Sequence, residues 1–259
     1  CLPSKEFPAW PGMEDMEEIN VNAKILTEMI EKTIYSSGES DTRYTLNGLL
    51  FHIAPGIKIT VVGTDGHRLA VLIKKTEGTL KEERKLIMPK KAASELRKIL
   101  DKSEENIKMT QSKNHILFTI GEMQFLTRLI EGTYPNYDQV LPASNDKKLI
   151  IKREEIAKAL RRVAIMSKEH SNAVRMDLTE NLITFTSSNP DIGEAQDEIN
   201  VEYKGESLTT GFNARYLIDI LEAMNSEKVV IEMQAPLSPV LIKEEKSEDY
   251  RCVIMPMRI

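Results

Sequence analysis

The chain has 259 residues, of which 35 are Lys or Arg, 40 are Asp or Glu and 41% are hydrophobic. This composition is typical of a globular protein with a substantial core, and it excludes a disordered, collagen-like or coiled-coil chain. The apolar runs are too short to span a membrane, and the net charge of -5 argues at first against nucleic acid as a partner.

The first half of the chain combines two helices with strands. Helical periodicity covers residues 23–36, strand patterns follow at 44–51 and 58–62, and a strand then enters a helix that spans residues 91–100. Further strand patterns between residues 107 and 130 close this half.

The second half repeats the same order of elements. A helix is predicted at residues 153–167, strands at 173–178 and 182–186, a second helix at 214–224, and closing strands between 229 and 255. A repeat of this length indicates a duplicated domain rather than a solenoid. We therefore predict an α+β fold with duplicated domains, each with two helices packed on antiparallel sheets.

A Pro- and Asn-rich stretch at residues 134–145 separates the two halves. Its prolines cannot donate the hydrogen bonds of a sheet, and asparagine favours turns. We place the domain boundary here, with one domain at residues 1–132 and the other at 133–259. The first holds 19 basic and 19 acidic residues, whereas the second holds 16 and 21 and so carries the whole net charge.

The segment at residues 63–70, GTDGHRLA, contains a close acid/histidine pair, Asp65 and His67. Asp-Gly between two alternating runs predicts a two-residue type I′ hairpin turn, in which Asp65 serves the turn. A hydrolase or nuclease that uses this pair is the alternative hypothesis, although no nucleophile motif and no phosphate-binding loop accompany it.

The histidines and cysteines lack the spacing of a metal site. The two cysteines, Cys1 and Cys252, fit a reducing compartment better than a disulfide framework. We therefore expect no metal and no other cofactor, and we interpret the chain as a binding protein rather than an enzyme.

Basic side chains decorate one helix in each half. They are Lys90, Lys91, Arg97 and Lys98 in the first half, and Lys152, Arg153, Lys158, Arg161 and Arg162 in the second. A solvated face is the plain interpretation of any single helix, but basic helices in both repeats favour one surface that binds phosphates. An acidic protein can present such a face, because salt screens charges beyond about 8 Å. A standalone regulatory DNA-binding protein is therefore a further alternative.

The chain ends on an apolar stretch at residues 253–259, VIMPMRI. One interpretation is a strand that finishes in the core. The other is a methionine-rich lining of a groove for partner peptides.

Four motifs together resemble the family of bacterial DNA polymerase III β subunits, the sliding clamps. They lie at residues 63–70 (GTDGHRLA), 130–142 (IEGTYPNYDQVLP), 211–219 (GFNARYLID) and 253–259 (VIMPMRI). The resemblance spans essentially the whole chain and implies the second and third of three similar domains. A start at Cys1 rather than Met looks like a cut within a longer protein, so we expect the first domain to be absent.

The resemblance implies a DNA-clamp fold and a non-catalytic processivity factor of the replicative polymerase. In the full-length homodimer, helices would line a hole around double-stranded DNA, which is held without regard to sequence. The polymerase III α subunit, the clamp loader and repair proteins would bind through a hydrophobic peptide pocket. The expected location is the bacterial cytoplasm, in association with the nucleoid.

The same resemblance implies three groups of site residues. The partner-peptide pocket would comprise Leu46, Thr64, Gly66, His67, Arg68, Leu69, Pro135, Val140, Asn213, Tyr216, Val253, Met255, Pro256, Met257 and Arg258. The DNA-facing residues would be Arg43, Tyr44, Lys90, Lys91, Arg97, Lys98, Lys158, Arg161 and Arg162. The ring interface would comprise Ile165, Met166, Glu194 and Glu198, with Asp191 and Asp197 beside them.

Four positions depart from what the resemblance leads us to expect. Thr45 and Ser171 stand where an aromatic residue is common, Gln139 replaces an arginine, and Pro239 replaces a serine. We expect the last three to change the pocket rim and its peptide preference while the floor is kept. Without a first domain the ring joint cannot close, so we expect this chain to be a monomer, or an unnatural dimer in a crystal, and not to clamp DNA.

Overall fold

The computed structural model describes residues 18–55, 58–75, 82–101, 106–167 and 172–259. The first half contains β1 (Glu18–Asn22), α1 (Ala23–Ile34), β2 (Gly48–Ala54), β3 (Lys58–Thr64), β4 (Arg68–Lys75), β5 (Arg84–Pro89), α2 (Lys90–Leu100), β6 (Asn106–Gln111), β7 (His115–Ile120) and β8 (Met123–Arg128).

The second half repeats this order element by element. It contains β9 (Lys147–Lys152), α3 (Arg153–Ala164), β10 (Ala173–Thr179), β11 (Leu182–Asn189), β12 (Gly193–Asn200), β13 (Leu208–Asn213), α4 (Ala214–Glu222), β14 (Lys228–Met233), β15 (Val240–Glu244) and β16 (Tyr250–Ile254). The prediction of a duplicated α+β fold is confirmed. In the part of the chain that the structure describes, no helix has both the length and the apolar character needed to cross a membrane.

Within the described ranges, the strands form three antiparallel sheets. Two of them have four strands and belong to one half each, in the orders β1-β6-β7-β8 and β12-β11-β10-β13. The third has eight strands in the order β5-β2-β3-β4-β16-β15-β14-β9, so it crosses from one half to the other. The crossing is the antiparallel pairing of β4 with β16, in which Leu72 faces Tyr250 and Arg68 faces Ile254.

The middle of the eight-stranded sheet is buried on both faces, whereas its edge strand β9 exposes Lys148, Ile150 and Lys152 on one face. On one face, Val61 of β3 joins a core cluster that also contains buried residues of all four helices and of both four-stranded sheets. On the other face, Val62 packs with Val71, Val253 and Tyr134 in a second, smaller cluster. Because successive side chains of a strand point to opposite faces, β3 and β16 contribute to both clusters.

Of the four α-helices in the described part of the chain, two begin at a side-chain cap. The Asn22 side chain accepts hydrogen bonds from the backbone N–H groups of Lys24 and Ile25 at the start of α1. The Asn213 side chain caps α4 in the same way, so each asparagine satisfies N–H groups that have no partner within the helix.

Several predicted boundaries are wrong by a few residues. The stretch Tyr44–Asn47 is a 3₁₀ helix rather than the start of a strand, and β2 begins only at Gly48. Helix α1 ends at Ile34 and α3 at Ala164, because the following residues turn back onto the last carbonyls, as when Ser167 donates to Ala164. The carboxyl-terminal stretch is a strand only as far as Ile254.

The turn between β3 and β4 is not the predicted type I′ turn. Only Gly66 has a positive φ, of 85°, and Thr64 pairs with Leu69, so the loop has four residues instead of two. The Asp65 carboxylate closes the loop by accepting hydrogen bonds from the backbone N–H groups of His67 and Arg68. Asp65 therefore serves the turn, as expected, but through its side chain.

A polar network crosses the junction between the two halves beneath the paired strands. Lys32 of α1 forms an ion pair with Glu244 of β15 at 3.0 Å, and their side chains are only 7% and 13% exposed. The hydroxyl of Tyr250 donates to the carbonyl of Lys32 at 2.7 Å and lies 3.1 Å from the hydroxyl of Tyr35. The thiol of Cys252, whose pKa burial raises to about 11, completes the network.

We expect Gly63→Ala to destabilise the protein by at least about 2 kcal/mol, because overpacking a filled site forces the backbone apart. A Cβ at Gly63 would clash with the carbonyl oxygen of Thr33, which belongs to the helix packed on β3. Gly121→Ala is the control: its φ is 58° but its surroundings are open, so about 1 kcal/mol is expected. Urea unfolding measures both variants. An equal or smaller loss for Gly63→Ala would contradict this packing.

We expect Glu244→Gln to lower stability at pH 7 by roughly 1.5–3 kcal/mol, the usual range for a hydrogen bond to a charged group. Burial alone would raise the pKa of Glu244, but hydrogen bonds from the Asn225 backbone and from Lys32 outweigh it and lower the pKa from its usual 4.5. The stabilisation is therefore complete above pH 4.5 and is lost as the pH falls through the lower folded-state pKa.

Urea unfolding of wild type and variant at several pH values between about 3 and 7 follows this loss of the Glu244 contribution. The exposed neighbour Glu245, for which the structure shows no ion pair among the described residues, provides the control variant Glu245→Gln. A stability difference between wild type and Glu244→Gln that stays constant over this range would contradict the assignment.

Candidate functional site

A cavity of about 350 Å³ opens where the two halves of the eight-stranded sheet meet. It lies beside the β3–β4 turn and the end of β16, so both halves contribute to its walls. The residues that line it are Arg43, Leu46, Thr64, Gly66, Arg68, Leu69, Pro135, Tyr137, Gln139, Val140, Pro239, Val253 and Met255.

The floor of the cavity is apolar and fixed, whereas its apolar rim is exposed. Leu46, Leu69 and Val253 are at most 2% exposed and belong to the cores of the two halves. Val140 and Met255 are 38% and 39% exposed at the opening. Exposed apolar side chains above a buried apolar floor are typical of a site for an apolar ligand group.

Arg43 forms a positively charged edge of this cavity. Its guanidinium is held by the Asp41 carboxylate and by the carbonyl of Asp65, and it lies directly against Gly66. A side chain at position 66 would collide with that guanidinium. The φ of Gly66 is also 85°, so the close approach of Arg43 to the backbone here requires glycine. Arg43, which we expect from the sequence to face DNA, lines this cavity.

Arg68 joins the cavity to the junction beneath it. The guanidinium forms ion pairs with Asp65 in the turn and with Asp219 in α4, and it donates to the carbonyl of Tyr35 at 2.7 Å. It also lies 4.3 Å from the ring centroid of Tyr216, which adds a cation–π contact. Burial alone would lower the pKa of Arg68, but the carboxylates of Asp219 and Asp65 raise it, so the guanidinium stays charged.

The structure brings nine of the fifteen predicted pocket residues to the cavity. They are Leu46, Thr64, Gly66, Arg68, Leu69, Pro135, Val140, Val253 and Met255. The other six do not line it: they are His67, Asn213, Tyr216, Pro256, Met257 and Arg258. Asn213 caps α4, and Tyr216 supports Arg68 from below.

The chain end forms a second groove instead. The backbone N–H of Met257 donates to the carbonyl of Gly211 at 2.9 Å, which attaches the tail to the edge of β13. Met257 and Arg258 then line a groove of about 530 Å³ together with Leu237 and Ile259. The two interpretations of the apolar tail therefore apply to different residues. Residues up to Ile254 finish a strand, and the last residues of the chain border a groove.

Four cavity residues were missing from the predicted pocket. They are Arg43, Tyr137, Gln139 and Pro239. Gln139 and Pro239 are two of the departures expected to change the rim, and the structure places both at the cavity. Tyr137 is a different case, because its motif showed only that it lies between the two prolines of the linker, Pro135 and Pro142. Ser171, the remaining rim position, lies outside the described residues.

Most of the basic helix residues are exposed, whereas Lys90 and Arg97 are half-buried, and carboxylates accompany most of them. Ion pairs join Lys90 to Glu39, Arg97 to Glu31, Lys98 to Glu95, Lys158 to Glu154, Arg161 to Glu222 and Arg162 to Asp197. Arg162 is thereby drawn toward β12 rather than toward the other basic residues. Tyr44, 61% exposed, lies against Gly132 at the end of the first half.

The predicted ring-interface residues gather at one end of the second half. Ile165 follows α3 and is 76% exposed, and Met166 approaches Gly193 at the start of β12. Strand β12 is an edge strand that carries the acidic residues Glu194 and Glu198. Asp191 lies in the turn before this strand. An unpaired edge of this kind offers backbone groups to another strand.

The acid/histidine pair does not form a catalytic dyad. The carboxylate of Asp65 is occupied by the His67 and Arg68 backbone and by the Arg68 guanidinium, so it does not orient an imidazole ring. Among the residues that the structure describes, no group of three His, Cys, Asp or Glu side chains is placed to hold a metal ion.

Two family models match the chain one after the other. The model described as the central domain of the DNA polymerase III beta subunit matches residues 20–136. The model described as the C-terminal domain of the same subunit matches residues 138–258.

Curated relatives and solved structures agree with these models. Beta sliding clamps of Pseudomonas putida and Escherichia coli are each 33% identical over 258 residues, which is 100% of this chain and 70% of theirs. The crystal structure of the DNA polymerase III subunit beta from Pseudomonas aeruginosa is 32% identical and superposes with a TM-score of 0.96, over 100% of this chain and 71% of that one.

Proposed function

The chain belongs to the family of DNA polymerase III beta subunits, the sliding clamps, and we propose that the cavity between its halves binds partner peptides. Its fold is the clamp fold, and its function is that of a processivity factor. It is a non-catalytic subunit of the replicative polymerase, so its chemistry is recognition rather than turnover.

The observation that carries the proposal is the composition of the cavity. A buried floor of Leu46, Leu69 and Val253 can take one or two apolar side chains of a short linear peptide. The methionine at its rim can adapt to different apolar groups, which suits a site shared by several partners. These partners are proposed to be the polymerase III α subunit, the clamp loader and repair proteins that carry such a peptide.

The polar rim sets the preference among peptides. Arg43 offers a positive charge to an acidic residue beside the apolar anchor, and Gln139 offers an uncharged amide. Pro239 also lines the cavity and has no backbone N–H to donate. The rim therefore favours a peptide with one carboxylate near Arg43 over a peptide with several.

The helices are the proposed path of double-stranded DNA in a homodimeric ring. Their basic residues in both halves, from Lys90 to Arg162, can reach phosphates without reading sequence. The edge of β12, with Ile165 and Met166 beside it, is the proposed joint with the other subunit. We also propose a domain boundary between residues 132 and 133. The proposed location is the cytoplasm, in association with the nucleoid.

We expect Met255→Ala to weaken binding of a fluorescent clamp-binding peptide by about tenfold, because it removes apolar surface at the cavity opening. Met123→Ala is the matched control: this methionine is 55% exposed on the edge strand β8 and does not line the cavity. Fluorescence anisotropy at fixed salt gives both affinities.

Met257→Ala decides whether the second groove takes part. A loss comparable to that of Met255→Ala would show that the peptide extends from the cavity into the groove beside Gly211. Equal affinities for wild type, Met255→Ala and Met123→Ala, or no binding to the wild type, would contradict the proposed site.

A further inference from the structure

Among the described residues, most of the helix cations proposed to face DNA form ion pairs with carboxylates. Of these seven helix cations, six lie within 4.0 Å of a carboxylate. Lys98 and Lys158 pair within their own helices, at spacings of three and four residues. Such pairs are ordinary features of a solvated helix.

Two pairs are different, because they join neighbouring helices. Arg97 of α2 pairs with Glu31 of α1 at 3.1 Å, and Arg161 of α3 pairs with Glu222 of α4 at 2.7 Å. Glu31 and Arg161 are both the ninth residue of the first helix in their half. The two repeats therefore keep an ion pair at the same place between their helices, with the charges exchanged.

The four side chains of these pairs remain accessible to a ligand. Their exposed fractions lie between 43% and 55%, so solvent and phosphate can reach both the guanidinium and the carboxylate groups. An exposed ion pair is weak, usually worth about 0.2–1 kcal/mol. A DNA phosphate can therefore displace the carboxylate from the arginine. The net free energy of phosphate binding is then smaller by the free energy of the ion pair that is broken.

We propose that Glu31 and Glu222 act as internal competitors of DNA phosphates and thereby hold the affinity of the helix face for DNA low. The inference rests on the proposed function, in which this face lines the path of the duplex. A sliding clamp must stay on DNA without binding it tightly, because a tight contact with phosphate would oppose sliding. The carboxylates give each arginine a partner to return to whenever a phosphate leaves.

The competition should change the affinity for DNA by a measurable factor. Relief of a surface ion pair of about 0.2–1 kcal/mol corresponds to at most about a fivefold gain in affinity. Each arginine that becomes free to contact a phosphate should also steepen the dependence of log K on log salt by about 0.9.

The test measures binding of a fluorescent duplex of about 30 base pairs to the 259-residue chain in a salt titration that starts near 20 mM. The variants are Glu31→Gln, Glu222→Gln and the two combined, with Arg97→Gln and Arg161→Gln as opposite changes. Glu202→Gln is the charge-matched control, since Glu202 is exposed between β12 and β13 and no ion pair is seen for it among the described residues.

We expect each glutamate variant on the helices to bind more tightly than Glu202→Gln, by about 1.4- to fivefold, and the double variant to combine both gains. Both arginine variants should bind more weakly than wild type. Weaker binding by the arginine variants without a gain for the glutamate variants would overturn the competition and leave the DNA path intact. No change in either set, or no binding by any protein, would overturn the competition and the DNA path together.

Discussion

Strand β4 of the first half pairs with strand β16 of the second half, and the cavity depends on that pairing. It places the β3–β4 turn beside the end of β16, so that Gly66 and Met255 come to line one cavity. The Lys32–Glu244 ion pair and the bridging contacts of Arg68 hold the same junction from the helix side. Peptide recognition thus depends on how rigidly two similar domains are joined, and less on either domain alone.

The sequence predicted the repeat well because helical periodicity is strong where one face is buried. The spacing of Leu26, Met29 and Ile30 predicts α1 within two residues at its end, and Leu217 and Leu221 do the same for α4. The short strands β1 and β9 were missed although Ile19 and Val21 alternate with polar residues. Five or six residues are too few for an alternation to stand out beside a helix that begins at once.

The cavity could be predicted only in part, for a physical reason. The motif around Gly66 and the one that ends the chain indicated two of its walls, whereas the position of Arg43 depends on a 3₁₀ helix where a strand was expected. The contacts of Met257 depend on a single β-bridge to Gly211 that no local sequence pattern predicts. Net charge was equally uninformative about DNA, since -5 describes the whole surface and the ion pairs on the helices decide the local field.

The central claim is that one cavity, built by both halves, receives the peptide. Methyl NMR of protein labelled at Met, Leu and Val tests it most directly, because each wall of the cavity carries such a methyl group. On addition of a clamp-binding peptide, the account predicts shifts for Leu46, Leu69, Val140 and Met255, with contributions from both halves, and none for Met123 on β8. Shifts confined to one half, or centred away from the junction, would contradict it.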